Sequence, residues 1–174
     1  MPVLTATQDS LYQQCAAEYA GALERLARSY EAEPEARRDL LQDIHVALWR
    51  SFSSFNGLCS MRTWIYRVAH NTAVTHVLRE RRRRGQAMVG LEEIEEMPAT
   101  AADRDQDRQQ RLNQLLSMIR TLKPIDRQVI LAYLEDLEAA EIAEITGLSP
   151  ANVATKIHRI KNILSRRFQA GERP

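Results

Sequence analysis

The 174-residue sequence predicts an all-α chain: two small helical domains, 1–85 and 109–174, joined by a flexible acidic linker over 86–108. Three observations lead there. Hydrophobic residues make up 44% and charged residues 27%, with six Gly, six Pro and three Phe, a balance that favours helices over strands. Apolar residues recur in steps of three and four on both sides of 86–108. The segment between has no sustained helical period and gathers Glu92, Glu93, Glu95 and Glu96 before Pro98, the composition of a tether.

The elements follow in order. Leu11, Cys15, Tyr19, Leu23, Leu26 and Tyr30 mark one face of a first helix, which ends near Glu33-Pro34. Pro34 suits the first turn of a second helix, with Leu40 or Leu41, Ile44, Leu48 and Phe52 inward and a stop by Asn56-Gly57. A third begins near Ser60, a suitable N-cap, and runs with Trp64, Ile65, Val68 and Leu78 inward to the Arg81–Arg84 run and Gly85. Trp49 and Trp64 both lie in apolar stripes and read as core. Beyond 108, Leu112, Leu115, Leu116, Ile119 and Leu122 form an amphipathic helix. Pro124 opens the next, with Val129, Ile130, Tyr133 and Leu134 inside, and two more helices follow.

Net charge is only +1, yet the sum hides a segregation along the chain. Residues 60–84 carry seven basic side chains and one acidic, and residues 149–174 carry six and one. Two separate basic blocks suit phosphates, and holding both on one polyanion would release counterions at each. Cys15 and Cys59 have neither disulfide-framework nor metal-ligand spacing, so the chain reads as one of a reducing compartment. With no basic start followed by an apolar run, and no apolar stretch long enough to span a bilayer, it reads as soluble and cytoplasmic. His45, His70, His76 and His158 are dispersed, and His70 and His76 do not share a helix face, so neither an acid-base centre nor a metal site is expected. No cofactor is expected either.

The segment EIAEITGLSPANVATKIHRIK, Glu141–Lys161, fits a helix-turn-helix. A small Ala143 lets the helices approach, Gly147 supplies a left-handed turn, and Val153, Ile157, Ile160 and Leu164 hold the second helix on the first. Ser149 and Pro150 match an N-cap and a first-turn residue. Asn152, Thr155, Lys156 and Arg159 are left outward, with His158 at the edge, as polar groups that a major groove receives.

The stretch FNGLCSMRTWIYRVAHNTAV, Phe55–Val74, decides among helix-turn-helix proteins. With DLLQDIHVALWRSF before it and LKPIDRQVILAYLEDLEAAEIAEITGLS after the acidic segment, the chain from about Tyr19 resembles the extracytoplasmic-function sigma factors of bacterial RNA polymerase. The resemblance implies a protein that catalyses nothing itself, binds core RNA polymerase and directs it to promoter DNA, where the strands are opened. It implies a polymerase contact through Asp39, Gln42, Asp43 and Arg50. The loop around Ser54, Phe55, Asn56, Gly57 and Ser60, with Arg62, Thr63, Arg67 and Asn71, would open the minus-ten element and hold an unpaired base. Asn152, Thr155, Lys156, His158 and Arg159 would read the minus-thirty-five element. An anti-sigma partner is implied as well.

The residue chemistry agrees with this, since exchanging base stacking for protein contacts calls for aromatic rings, amides and arginines beside a loop. The chain departs from the family's pattern at Ala36 and Arg38, where acidic residues are usual, at Thr75, where an acid or amide is usual, and at Ala154, where a base is usual. These departures bear on polymerase affinity and on the preferred bases. A self-sufficient helix-turn-helix regulator, with the first domain used for dimerisation or sensing, is the alternative, and a helical enzyme is a weaker third.

Overall fold

The computed structural model describes residues 7–85 and 108–170, and among these it is helical throughout apart from turns. The chain divides into two compact units between Arg84 and Gly85. The expected linker lies outside the described residues, except for Arg108, which opens a helix.

The first unit packs α1 (Gln8–Tyr30), α2 (Pro34–Ser51) and α3 (Met61–Arg84), with a 3-10 turn at Phe52–Ser54. Thr7 caps α1 by accepting the Ser10 N–H on its hydroxyl, and Pro34 stands at the start of α2 as its missing N–H and fixed φ favour. Leu23, Leu26, Ala27 and Tyr30 of α1 meet Leu40, Ile44 and Leu48 of α2 and Ile65, Tyr66, Ala69 and Ala73 of α3, all buried. Cys15 is part of this core, and burial first, then the Glu18 carboxylate, pushes its thiol pKa up to about 11.

Two expectations about this core are corrected: Leu78 and Trp49 are exposed. His70 and His76 are buried. The two histidines stand about 120° apart around the helix, so they do not share a narrow face. The buried stripe of α3 is wide enough to include both, because small Ala69 and Ala73 let the neighbouring helices close over it. The Tyr30 hydroxyl pairs with His70 Nδ1 at 2.9 Å. His76 Nε2 lies 3.8 Å from Glu31 Oε2 and its Nδ1 4.0 Å from Asp43 Oδ2.

The second unit comprises α4 (Arg108–Thr121), α5 (Pro124–Leu134), α6 (Ala139–Thr146) and α7 (Pro150–Ala170). Leu116, Ile119, Leu122, Val129, Ile130, Ile142, Val153 and Ile160 form its core, whereas Leu112 and Leu134, expected inside, are exposed. Leu134 is the last residue of α5, where the helix has passed the edge of what it packs against. The α5–α6 turn carries a left-handed Asp136, φ +58°, and buries Leu137. Glu138 and Glu141 then close α6 with a reciprocal capping box. Gly147 ends α6 with φ +75° and ψ 8°, and Ser149 Oγ accepts the Asn152 N–H at 3.3 Å to start α7.

Candidate nucleic-acid and protein interfaces

In the first unit no carboxylate side chain occurs between Asp43 and Glu80, a stretch that carries Arg50, Arg62, Arg67 and Arg79. Within it, residues 53–60 lead into α3. Phe55 is half-buried with its ring edge-to-face on Trp64, centroids 5.3 Å apart, and Trp64 Nε1 donates to Ser51 Oγ at 3.0 Å. The aromatic pair therefore braces the loop from the helix side. Asn56 Oδ1 accepts the Leu58 N–H at 3.2 Å across Gly57, whose φ of +73° a larger residue resists. Ser54, Asn56, Gly57 and Ser60 are all exposed.

Ser60 caps α3 by accepting the Thr63 N–H at 3.0 Å, and its hydroxyl pairs with that of Thr63 at 2.9 Å. Thr63 is only 2% exposed and closes the helix start, a different position from the outward one expected for it. Arg62 lies with its guanidinium 5.9 Å from the Tyr66 ring centroid. Arg67 and Asn71 continue one face of α3 beyond Ser60, in steps of seven and four residues, half-buried and exposed respectively. The loop thus leads onto one face of α3 through Ser60, Arg67 and Asn71, while Arg62 lies over Tyr66 on the other side of the helix and the Thr63 side chain turns inward.

On α2, Asp39, Gln42, Asp43 and Arg50 are exposed on one side, and Val46 and Trp49 lie between them, also exposed. Three polar contacts fix this face. Arg79 of α3 donates to Asp43 Oδ2 at 3.4 Å, and Trp49 Nε1 donates to Asp9 Oδ1 at 2.9 Å while Gln8 Nε2 donates to the Trp49 carbonyl at 2.8 Å. The indole, which periodicity alone had assigned to the core, therefore ties α1 to α2 while staying exposed. Arg38 pairs with Glu35 at 2.7 Å on the open surface, so its charge is balanced locally. His45, beside Tyr12 at 3.1 Å, has its pKa lowered by burial.

In the second unit, α7 presents Asn152, Thr155, His158 and Arg159 to solvent. Lys156 does not join them fully. Its ammonium donates to Asp126 Oδ1 at 2.6 Å, and the side chains are 32% and 6% exposed. This ion pair fastens α7 to α5 and was invisible to sequence reasoning, because its partners lie thirty residues apart. Also missed was Arg127, 1% exposed, whose guanidinium donates to the carbonyls of Arg120 and Leu122 and so closes the end of α4. Its only sequence signal is its place just after Pro124, beside the preceding helix end. His158 pairs with Asn162 at 3.0 Å, and Lys161 donates to the Tyr133 hydroxyl at 3.0 Å.

Among the described residues no group of histidine, cysteine or carboxylate side chains could hold a metal ion, and no helix is long and apolar enough to cross a membrane.

Comparison with known proteins divides along the same line. Residues 15–83 match the family described as Sigma-70 region 2, and residues 112–164 match Sigma-70, region 4. The RNA polymerase sigma factor YlaC of Bacillus subtilis is 30% identical over 73% of this chain and 74% of its own length. The ECF RNA polymerase sigma-E factor of Haemophilus influenzae is 28% identical over 75% and 74%. Among solved structures, CnrH in complex with the cytosolic domain of CnrY aligns at a TM-score of 0.68 with 23% identity, covering 95% of this chain and 92% of that one. The sigma factor RpoE of Bartonella quintana, in complex with the anti-sigma factor NepR, aligns at 0.69 with 17% identity, covering 94% and 98%. These two show a shared fold.

Proposed function

We propose a division of labour for a chain that belongs to the extracytoplasmic-function type of the sigma-70 family of RNA polymerase sigma factors. Residues 1–85 bind the polymerase and open the minus-ten element, residues 86–108 link, and residues 109–174 read the minus-thirty-five element. The protein works in the cytoplasm by binding and positioning, and forms or breaks no covalent bond itself. The observation that carries this is the carboxylate-free stretch of the first unit, which sets an aromatic-braced polar loop among arginines.

The face of α2 formed by Asp39, Gln42, Asp43 and Arg50 is assigned to the polymerase. Its exposed Val46 and Trp49 support a protein partner over a nucleic acid, since an aromatic anchor within a polar rim is the usual composition of such contacts. The loop residues Ser54, Phe55, Asn56, Gly57 and Ser60, with Arg62, Arg67 and Asn71, are assigned to the minus-ten element. Asn152, Thr155, His158 and Arg159 are assigned to the minus-thirty-five element. Thr63 and Lys156 serve these sites by holding a helix start and a helix orientation, supported by their burial and bonding. CnrH and RpoE are each held in a complex by a second protein, which supports an anti-sigma partner here too.

Transcription of a fragmented genome by core polymerase with and without the protein tests this reading. New start sites sharing two upstream elements are expected, and none would overturn it. Asp39→Arg should weaken co-purification with core polymerase about tenfold, with the second unit's DNA contacts unchanged.

A further inference from the structure

The loop before α3 carries one side chain that none of these roles uses. Leu58 is 89% exposed, more than any other large apolar residue among those described. Phe55 and Cys59 on either side are half-buried, so the chain touches the protein around the tip and leaves Leu58 standing out of it. The position is built. Gly57 turns left-handed at φ +73°, Asn56 Oδ1 holds the Leu58 N–H at 3.2 Å, the Phe55 N–H bonds the Phe52 carbonyl at 3.4 Å, and the Phe55 ring rests on Trp64. A leucine so held forgoes the stabilisation of burial, and it is fixed in place before any partner arrives.

The surroundings select the partner. With no carboxylate from Ile44 to Arg79, and Arg62 and Arg67 following within three turns of helix, the tip suits an apolar surface edged by negative charge. A stack of bases between phosphates has that character, and apolar side chains, leucine among them, open such stacks by entering a base step. We infer that Leu58 is an apolar wedge that enters the base stack at the edge of the melting promoter segment, so that the displaced base can pass to the loop residues Phe55 and Asn56. The inference deepens the proposed melting role of this loop and rests on it.

The test compares Leu58→Ala and Leu58→Met with the unaltered protein, each bound to core polymerase, on a duplex promoter and on the same promoter with a mismatched, already open minus-ten segment. Strand opening is followed by permanganate reactivity of thymines. Leu58→Ala should form the closed complex normally, open the duplex about tenfold more slowly, and perform within about twofold of the unaltered protein on the pre-opened template. Leu58→Met should retain opening, because apolar bulk is what the wedge needs. Asn71→Ala should stay defective on both templates. Normal opening by Leu58→Ala, or an equal defect on both templates, would overturn the wedge, as would a loss of polymerase affinity, which would make Leu58 a protein contact. If the unaltered protein itself opens no promoter with core polymerase, the melting role fails and the wedge with it. The side chain's exposure keeps folding out of the comparison, which unchanged helix content and thermal melting will check.

Discussion

In the first unit the residues assigned to DNA sit on a loop and the helix it leads into, and the loop's polar atoms mostly serve the loop itself: Asn56 holds the Leu58 N–H, Ser60 caps α3, and Phe55 leans on Trp64. In the second unit they sit on a helix fastened by a charge pair, Lys156 on Asp126, with Asn152, Thr155 and Arg159 projecting from the fixed surface. The first arrangement offers rings, amides and an apolar tip, which match unpaired bases. The second offers a rigid row of polar groups, which matches the edges of an intact duplex. On the proposed assignment one chain carries a reader for each state of the promoter, and the difference lies in what each unit does with its side chains, since both are small helical bundles.

The largest expected effect separates holding from reading within the second unit. Lys156→Ala leaves the Asp126 carboxylate buried without its partner and should lower that unit's stability by about 2–3 kcal/mol, seen in denaturant melting. Replacing both, Asp126→Asn with Lys156→Met, should recover most of it. Arg159→Ala should leave melting unchanged and reduce the slope of log affinity against log salt by about one. A Lys156→Ala protein of normal stability that loses a unit of salt slope would place Lys156 among the readers and erase the contrast.

A somewhat smaller effect sharpens the first unit's side. Asn71→Ala, or Phe55→Ala with Asn56→Ala, should allow the closed complex yet slow strand opening about tenfold, a change of about 1.4 kcal/mol. Failure at initial binding with normal opening afterwards would mean that this loop reads duplex DNA, as the second unit does.

The smallest effect is on cysteine chemistry. Both cysteines lie in the first unit. Cys15, its thiol pKa pushed up to about 11, should resist alkylation at neutral pH until that unit opens, while half-buried Cys59 should react in the native protein. Because labelling of Cys15 reports the first unit alone, Lys156→Ala should leave its rate unchanged. Faster labelling would show that the two units share their stability.

Helix order and ends were legible because local chemistry sets them: Pro34 and Pro124 open helices, Gly147 closes one, and Ser60 and Ser149 cap the two that carry the proposed DNA contacts. The loop and the outward face of α7 were legible for the same reason. What stayed hidden depends on contacts between distant residues. Whether Trp49 faces a core or a surface is decided by Asp9 and Gln8, forty residues away, and Lys156 turns inward because Asp126 waits there. His70 and His76 are buried through the breadth of a stripe that spacing describes only along its centre. Thr63 follows a helical pattern equally well as a DNA contact or as the partner of the Ser60 cap, and only the hydroxyl pairing separates them.

The central claim, that one unit reads duplex and the other opened DNA once polymerase holds both, is tested most directly by footprinting a promoter with and without core polymerase at physiological salt, probing single-stranded thymines in the same samples. If each small unit needs the other, held at a fixed separation by polymerase, to select a site, the free protein should protect little. With core polymerase, two protected patches should appear, with permanganate-reactive thymines confined to the downstream one. A sharp footprint over one palindromic site without polymerase, unchanged by adding it and with no reactive thymines, would contradict the account.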